Sequence, residues 1–224
     1  MIHIKDIAER PSKADIEALS KFSPATIHEA QGRKGALSSR LKPVDYRMKL
    51  CGPAFTVKCA PRDNIMLQLA INYAKPGDII VVSAGEYEEA GSFGDVLANA
   101  CLAKGIGGLI TDTGVRDTLQ LRDLGFPVFS LSVCIKGTVK ETIAAVNDSI
   151  IVGGCVGLTE DLKCAEVALG ARQRGNEVLG IEIVQLICAN RERIDKYICK
   201  RRRGIAHVRD ARQGGDQPSD GLVD

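Results

Sequence analysis

Two short stretches of this sequence hold residue types that could do chemistry. The first is Gly91-Ser92-Phe93-Gly94-Asp95-Val96-Leu97. Glycines placed directly before a helix leave backbone N–H groups open at its N-terminus, where the helix dipole also favours a negative charge. A carboxylate or phosphate suits such a place, although a glycine turn of this kind can equally do no more than begin the helix. The second is Gly114-Val115-Arg116-Asp117, just past the end of an apolar run. In open α/β sheets, ligands gather outside the carboxyl ends of the strands. Arg116 offers an always-charged donor fork for a keto-carboxylate or an enolate. Asp117 offers a hard oxygen ligand for Mg²⁺ or Mn²⁺, directly or through water. The alternative is that Asp117 caps the following helix and pairs with Arg116 on the surface.

The elements that must position these residues can be read from the pattern. Pro11 to Phe22 is helical, and Ser23-Pro24-Ala25-Thr26 opens a second helix with Ser23 as N-cap and Pro24 in the first turn. Gly52 to Cys59 reads as a strand. Asn64 to Ala74 reads as a helix with Ile65, Leu69 and Ile71 or Asn72 near one face. Ile79 to Ala84 is an almost purely apolar strand, as expected when both faces are buried. Gly85 to Phe93 reads as a loop. A helix then runs to Lys104, with Gly105 ending it. Gly108 to Asp112 reads as a strand, Thr113 to Asp117 as the turn leaving it, and Thr118 to Leu124 as a short helix. Pro127 to Ser130 is a further strand, with weaker strand signals at Ser149 to Val152 and Val167 to Leu169. Alternating strands and helices predict an α/β layered domain with parallel pairing.

Composition narrows the function classes. The chain has 224 residues, and 45% are hydrophobic, enough for one large domain with a real core. Aromatics make up 4%, too few for a base-stacking surface, and a net charge of +2 is too mild to imply a nucleic-acid or membrane partner. No apolar run approaches the roughly 20 residues that a membrane span needs. The charged start, Met1 to Arg10, has no apolar core of a signal peptide. The eight cysteines form no CxxC pair and no zinc-spaced cluster, and most sit in apolar runs. That points to reduced, buried thiols and a cytoplasmic location.

Twenty residues separate Asp95 from Arg116, giving Asp-x20-Arg-Asp. With Ser23-Pro24-Ala25-Thr26, Pro76-Gly77-Asp78, Gly94-Asp95-Val96-Leu97, Thr113-Gly114-Val115-Arg116-Asp117 and Gly125-Phe126-Pro127-Val128-Phe129, the region from Ser23 to Gly154 resembles the 4-hydroxy-4-methyl-2-oxoglutarate / 4-carboxy-4-hydroxy-2-oxoadipate aldolases. That family shares its fold with the regulator of RNase E activity A. The resemblance implies a central mixed sheet flanked by helices, of the swivelling-domain type, and a homotrimer or homohexamer with sites between subunits. It implies a small-molecule keto-acid substrate. Backbone amides of Gly94, Asp95, Val96 and Leu97 would hold the pyruvyl carboxylate. Arg116 would contact the keto oxygen and stabilise the enolate, and Asp117 would anchor a divalent cation. The implied reaction cleaves a 4-hydroxy-2-oxo acid to pyruvate and a second keto acid, with oxaloacetate decarboxylation as a side activity.

The sequence also departs from that pattern. Gln120 stands where family members often carry an acid, and the usual Pro-Gly-Asp turn after Gly154 is missing. The reading is therefore one domain over residues 1–181 and a divergent segment over 182–224, basic and then disordered. The Arg- and Cys-rich composition there is of a kind that out-of-frame translation produces. Two rivals accompany the lyase: a binding protein like the RNase E regulator, without catalysis, and an inactive relative with a degenerate C-terminus. Among other candidates, His28 is read as a structural histidine, Lys58 as a solvent-facing residue rather than a Schiff-base lysine, and Glu86, Glu88 and Glu89 as a solvated acidic loop or part of a cation's water shell. Lys200-Arg201-Arg202-Arg203 is read as a solvated tail.

Overall fold

The computed structural model describes residues 3–4, 10–30, 32, 33 and 35–157, with backbone only at 3–4 and 155–157 and in later strands at 165–168, 171–174, 177–181 and 185–188. The described residues belong to a compact unit spanning Met1–Ala189. The basic stretch around Lys200–Arg203 and the segment Gln213–Asp224 lie outside the described residues, and so does most of the 182–224 segment expected to diverge.

The chain begins with β1 (His3–Ile4), α1 (Lys13–Leu19) and α2 (Pro24–Ala30). The second helix starts where its predicted cap places it, and the first is shorter than the expected Pro11–Phe22 span, running from Lys13 to Leu19 behind Ser12. Ser12 Oγ accepts the Asp15 N–H at 3.1 Å, and Ser23 Oγ accepts the Thr26 N–H at 3.3 Å. Then come β2 (Lys42–Pro43), β3 (Ala54–Lys58), α3 (Ile65–Tyr73), β4 (Ile79–Ser83), β5 (Gly91–Phe93), α4 (Asp95–Ala103), β6 (Gly108–Val115), α5 (Thr118–Leu124), β7 (Val128–Val133) and β8 (Ala145–Val146). These eight strands form one mixed sheet in the order β1-β8-β3-β4-β6-β7-β2, with β5 lying against β6. The centre, β3-β4-β6-β7, is parallel throughout, and β2 and β8 pair antiparallel at its flanks. The remaining strands, β9 (Ile150–Val152), β10 (Cys155–Gly157), β11 (Ala165–Ala168), β12 (Ala171–Arg174), β13 (Glu177–Ile181) and β14 (Gln185–Cys188), pair two by two as antiparallel ribbons.

The apolar run of β4 shows why the sheet is covered on both sides. Ile80 and Val82 pack with Leu67, Ala98 and Cys101 of α3 and α4. Ile79 and Val81 pack with Leu37, Leu41 and Leu50 on the other face. Each of these four side chains is at most 1% exposed, and burying one is worth about 1.5–3 kcal/mol. Successive strand residues point to opposite faces, so an unbroken apolar run requires two covered faces.

Three local expectations need correction. The buried face of α3 is Met66, Leu67, Ala70 and Ile71, while Ile65 and Leu69 lie at its margin and Asn72 is exposed. The loop from Gly85 does not run to Phe93, because Gly91–Phe93 pairs with β6 as a parallel strand. The strand from Gly108 does not stop at Asp112. It continues to Val115 because β5 and β7 pair with its far end on both sides, Gly91 and Ser132 both opposite Gly114. The turn is thereby shortened to Arg116 and Asp117.

Candidate functional site

The end of β6 fixes Arg116 and Asp117. The Arg116 N–H donates to Phe93 O at 2.9 Å, tying the turn to the end of β5. Asp117 then adopts φ 55° and ψ 41°, a left-handed conformation, and occupies the N-cap position of α5. Its carboxylate does not cap that helix. Instead Oδ2 lies 3.4 Å from the Asp95 N–H at the start of α4 and 3.4 Å from Arg116 Nε. The surface ion pair weighed from the sequence is present, and the capping role is replaced by a contact to the neighbouring helix. At that helix start, Asp95 Oδ1 accepts the Val96 N–H at 2.7 Å.

Two glycines permit this closeness. A Cβ on Gly94 would lie 2.2 Å from Asp117 Oδ2 and 3.1 Å from Arg116 Cγ. A Cβ on Gly91 would lie 2.2 Å from Cys134 O. The glycines before α4 therefore do more than begin a helix: they let Arg116 and Asp117 lie against it.

A cavity of about 370 Å³ opens here, bordered by Gly94, Val96, Leu97 and Arg116, and by Asn64, Gln68, Thr138 and Lys140 from elsewhere in the chain. The second group was missed by sequence reasoning. Asn64 and Gln68 are one helical turn apart, a spacing that could have flagged them. Gln68 Nε2 donates to Asn64 Oδ1 at 3.0 Å, Asn64 Nδ2 donates to Ser92 O at 2.8 Å, and Ser92 Oγ donates to Gly114 O at 3.2 Å. This chain of bonds locks the start of α3 to β5 and β6. Thr138 and Lys140 come from a strap after β7 that carries no pattern of its own. Asp63, 3% exposed, holds the strap: Oδ1 accepts the Ile65 N–H at 2.9 Å, and Oδ2 accepts the N–H groups of Glu141 and Thr142 at 2.8 and 2.7 Å. Burial opposes the charge on Asp63, yet these backbone donors, with the Thr142 side chain, hold its carboxyl below the usual carboxylate range.

The acidic loop has partners. Arg40 pairs with Glu86 at 2.9 Å and also with Glu88, and Lys136 pairs with Glu89. Beneath it Asp112, 1% exposed, accepts the Ala84 N–H at 2.5 Å and, more weakly, the Glu86 N–H and the Ser83 hydroxyl. Burial pushes its carboxyl above the usual range despite those donors. Lys58 is exposed at the end of β3, and His28 is half-buried on α2. Cys59 and Cys101 are buried free thiols, pushed by desolvation up to about 12, whereas Cys51 and Cys134 are partly buried.

Among the described residues, no three His, Cys, Asp or Glu side chains gather as a metal cage. Asp117 is a partly exposed carboxylate whose Oδ1 takes no hydrogen bond from the described residues. Such a donor set fits a hard cation that keeps most of its water shell, as Mg²⁺ does, and does not fit a closed tetrahedral site. No helix among the described residues is long and apolar enough to cross a membrane.

Comparison with known proteins places this geometry in context. Residues 13–166 match the family model described as RraA-like, Aldolase/RraA. The "Putative 4-hydroxy-4-methyl-2-oxoglutarate aldolase" of Halalkalibacterium halodurans is 32% identical over 146 residues, covering 64% of this chain and 70% of the relative. Among solved structures, Streptomyces coelicolor RraAS2, described as an unusual member of the RNase ES inhibitor RraA protein family, superposes with a TM-score of 0.68 at 22% identity, covering 89% of this chain and 98% of that one. The RNA-processing inhibitor RraA from Thermus thermophilis gives 0.59 at 21% identity, covering 73% and 92%. At these identities the solved structures establish the fold.

Proposed function

This chain belongs to the RraA-like (aldolase/RraA) family, and on that premise we propose that it is a divalent-metal-dependent lyase. It would cleave a 4-hydroxy-2-oxo acid to pyruvate and a second keto acid, and decarboxylate oxaloacetate at the same place. The observation that carries the reading is that Arg116 and the start of α4 border one cavity. One feature suits a keto oxygen that gains charge, and the other suits a carboxylate.

In this reading the pyruvyl carboxylate lies against the backbone of Gly94, Asp95, Val96 and Leu97. It would take over the Val96 N–H that Asp95 Oδ1 now accepts. Arg116 points its guanidinium at the C2 oxygen. Breaking the C3–C4 bond sends the bonding pair towards C3 and places negative charge on that oxygen. A fixed cationic donor there stabilises the enolate without rearrangement. The C4 hydroxyl proton passes to water, since no described side chain is placed as its base. The second keto acid departs, and protonation of C3 completes pyruvate. A divalent cation held by Asp117, largely through water, would supply Lewis-acid stabilisation of the same charge. Oxaloacetate decarboxylation leaves the same pyruvate enolate, so the same groups serve it. A homotrimer or homohexamer in the cytoplasm is part of the proposal.

The test is pyruvate release, followed by a lactate dehydrogenase-coupled assay on oxaloacetate and on 4-hydroxy-4-methyl-2-oxoglutarate, with Mg²⁺ and with EDTA. The expected result is pyruvate above the enzyme-free rate that EDTA abolishes. No metal-dependent pyruvate from either substrate would remove the catalytic reading. Tight binding of RNase E in its place would favour the regulator.

A further inference from the structure

The carboxyl ends of β3 and β4 hold a second polar place, away from Arg116. Lys58 lies opposite Ser83 in the parallel pairing of β3 with β4, and Ser83 Oγ is 3.2 Å from Asp112 Oδ2 on β6. The three residues form one row across adjacent strands. Two residues earlier on β4 and β6 the same face holds Val81 and Ile110, which are buried in the core. A cavity of about 330 Å³ opens beside Lys58 and Ser83. It shares no described lining residue with the cavity at Arg116.

The charges of this place are uneven. Asp112 is turned inward to the N–H groups of Ala84 and Glu86 and to the Ser83 hydroxyl, and it does not line the cavity. Burial also favours its uncharged form, so it sets little negative potential against Lys58. Lys58 is the one charged group among the described lining residues, and it makes no hydrogen bond or ion pair with any described residue. Its backbone is fixed by the pairing with Ser83 and by the Cys59 N–H, which donates to Ser83 O at 2.8 Å. The Gly85 N–H and the Ser149 hydroxyl border the same cavity and donate to no described residue. Ile151, 62% exposed, gives the rim an apolar side chain. One compact cation with neutral donors around it complements a single negative charge, and the apolar rim complements a short hydrocarbon. A phosphate monoester, at about −1.5 to −2, would leave charge uncompensated.

We propose that this cavity is a second binding site, which takes a short aliphatic monocarboxylate. Lys58 holds the carboxylate with the Gly85 N–H and the Ser149 hydroxyl, and Ile151 lies against the hydrocarbon. The site does not depend on the reaction proposed for the Arg116 cavity.

Calorimetric titration of the full chain with 3-methylbutanoate tests it, with acetate as the acid that lacks the hydrocarbon. The wild type should bind 3-methylbutanoate, and more tightly than acetate. Lys58→Gln should weaken that binding about tenfold or more, the loss expected when a charge-assisted contact is removed. Lys58→Arg, which keeps the charge, should restore most of it. Ile151→Ser should bring the two acids close together, and Arg116→Lys should leave both affinities unchanged. Thermal melting confirms that each variant is folded. No heat of binding at millimolar acid, an unchanged affinity in Lys58→Gln, or a loss in Arg116→Lys as large as that in Lys58→Gln overturns the second site. Equal affinities for the two acids in the wild type overturn the assignment of an aliphatic ligand.

Discussion

Gly94→Ala tests whether the site depends on α4 lying against Asp117. The new Cβ would stand 2.2 Å from Asp117 Oδ2, about 1.2 Å short of the 3.4 Å at which ordinary contact begins. It would also lie 3.1 Å from Arg116 Cγ, so the two candidate residues are displaced together. Asp117 must then swing away from the Asp95 N–H, or α4 must retreat. A displacement of about 1 Å in a reacting constellation is enough for roughly a 10²-fold loss of turnover. The assay is kcat for metal-dependent pyruvate formation from oxaloacetate, with thermal melting alongside. Because the severe clash, at 2.2 Å, is with Asp117 and the contact to Arg116 is only a few tenths of an ångström too close, the double variant Gly94→Ala/Asp117→Gly should lose much less relative to Asp117→Gly than Gly94→Ala loses relative to wild type. Activity within twofold of wild type in Gly94→Ala, or losses that simply multiply in the double variant, would refute the reasoning.

Three further outcomes are expected. Arg116→Lys keeps the charge but loses the planar fork, and should lower turnover on the order of 10²-fold or more in the same assay. Arg10→Met removes the bidentate partner of Asp78, whose carboxylate is 0% exposed, one of the two contacts being 2.8 Å from Arg10 Nη2. With only the Lys75 N–H left to it at 2.8 Å, the buried charge should cost about 3–5 kcal/mol in urea unfolding. The Asp112 carboxyl is raised by burial, so its protonated form is favoured in the folded chain, and its contribution is full below the ordinary carboxyl range and falls as pH rises through the folded value. Asp112→Asn cannot ionise. The stability difference between the two chains should therefore move in the variant's favour as pH rises above the ordinary carboxyl range, and parallel profiles would contradict it.

Local chemistry was legible in the sequence and non-local chemistry was not. The boundaries of α5, Thr118–Leu124, follow from its own residues and from Gly125 in the left-handed conformation at its end. The double-sided burial of β4 follows from its apolar run. Strand β5 was hidden because Gly91-Ser92-Phe93 has neither length nor alternation, and becomes a strand only because the end of β6 is there to pair with it. The near side of the candidate site, from Gly94 to Leu97 with Arg116 and Asp117, was singled out from glycine placement, motif spacing and the family resemblance, and the structure brings Gly94, Val96, Leu97 and Arg116 to one cavity. The far side was invisible for a physical reason. Asp63 bonds to residues 78 and 79 positions away, and no pattern in the strap from Cys134 to Thr142 announces that contact.

The left-handed backbone of Asp117 restricts what position 117 can become. At φ 55° the side chains that tolerate the conformation without appreciable strain are Gly, Asn and Asp. Of these, only Asp carries a charge. A glutamate would keep the carboxylate but strain the backbone by about 1–2 kcal/mol and reach one methylene too far. An asparagine would keep the shape and lose the anion. Two unrelated filters, the geometry of the turn and the hard anionic oxygen that the proposed reaction asks for, thus overlap on a single amino acid. Any redesign that moves the carboxylate elsewhere must rebuild the junction between β6 and α5 as well.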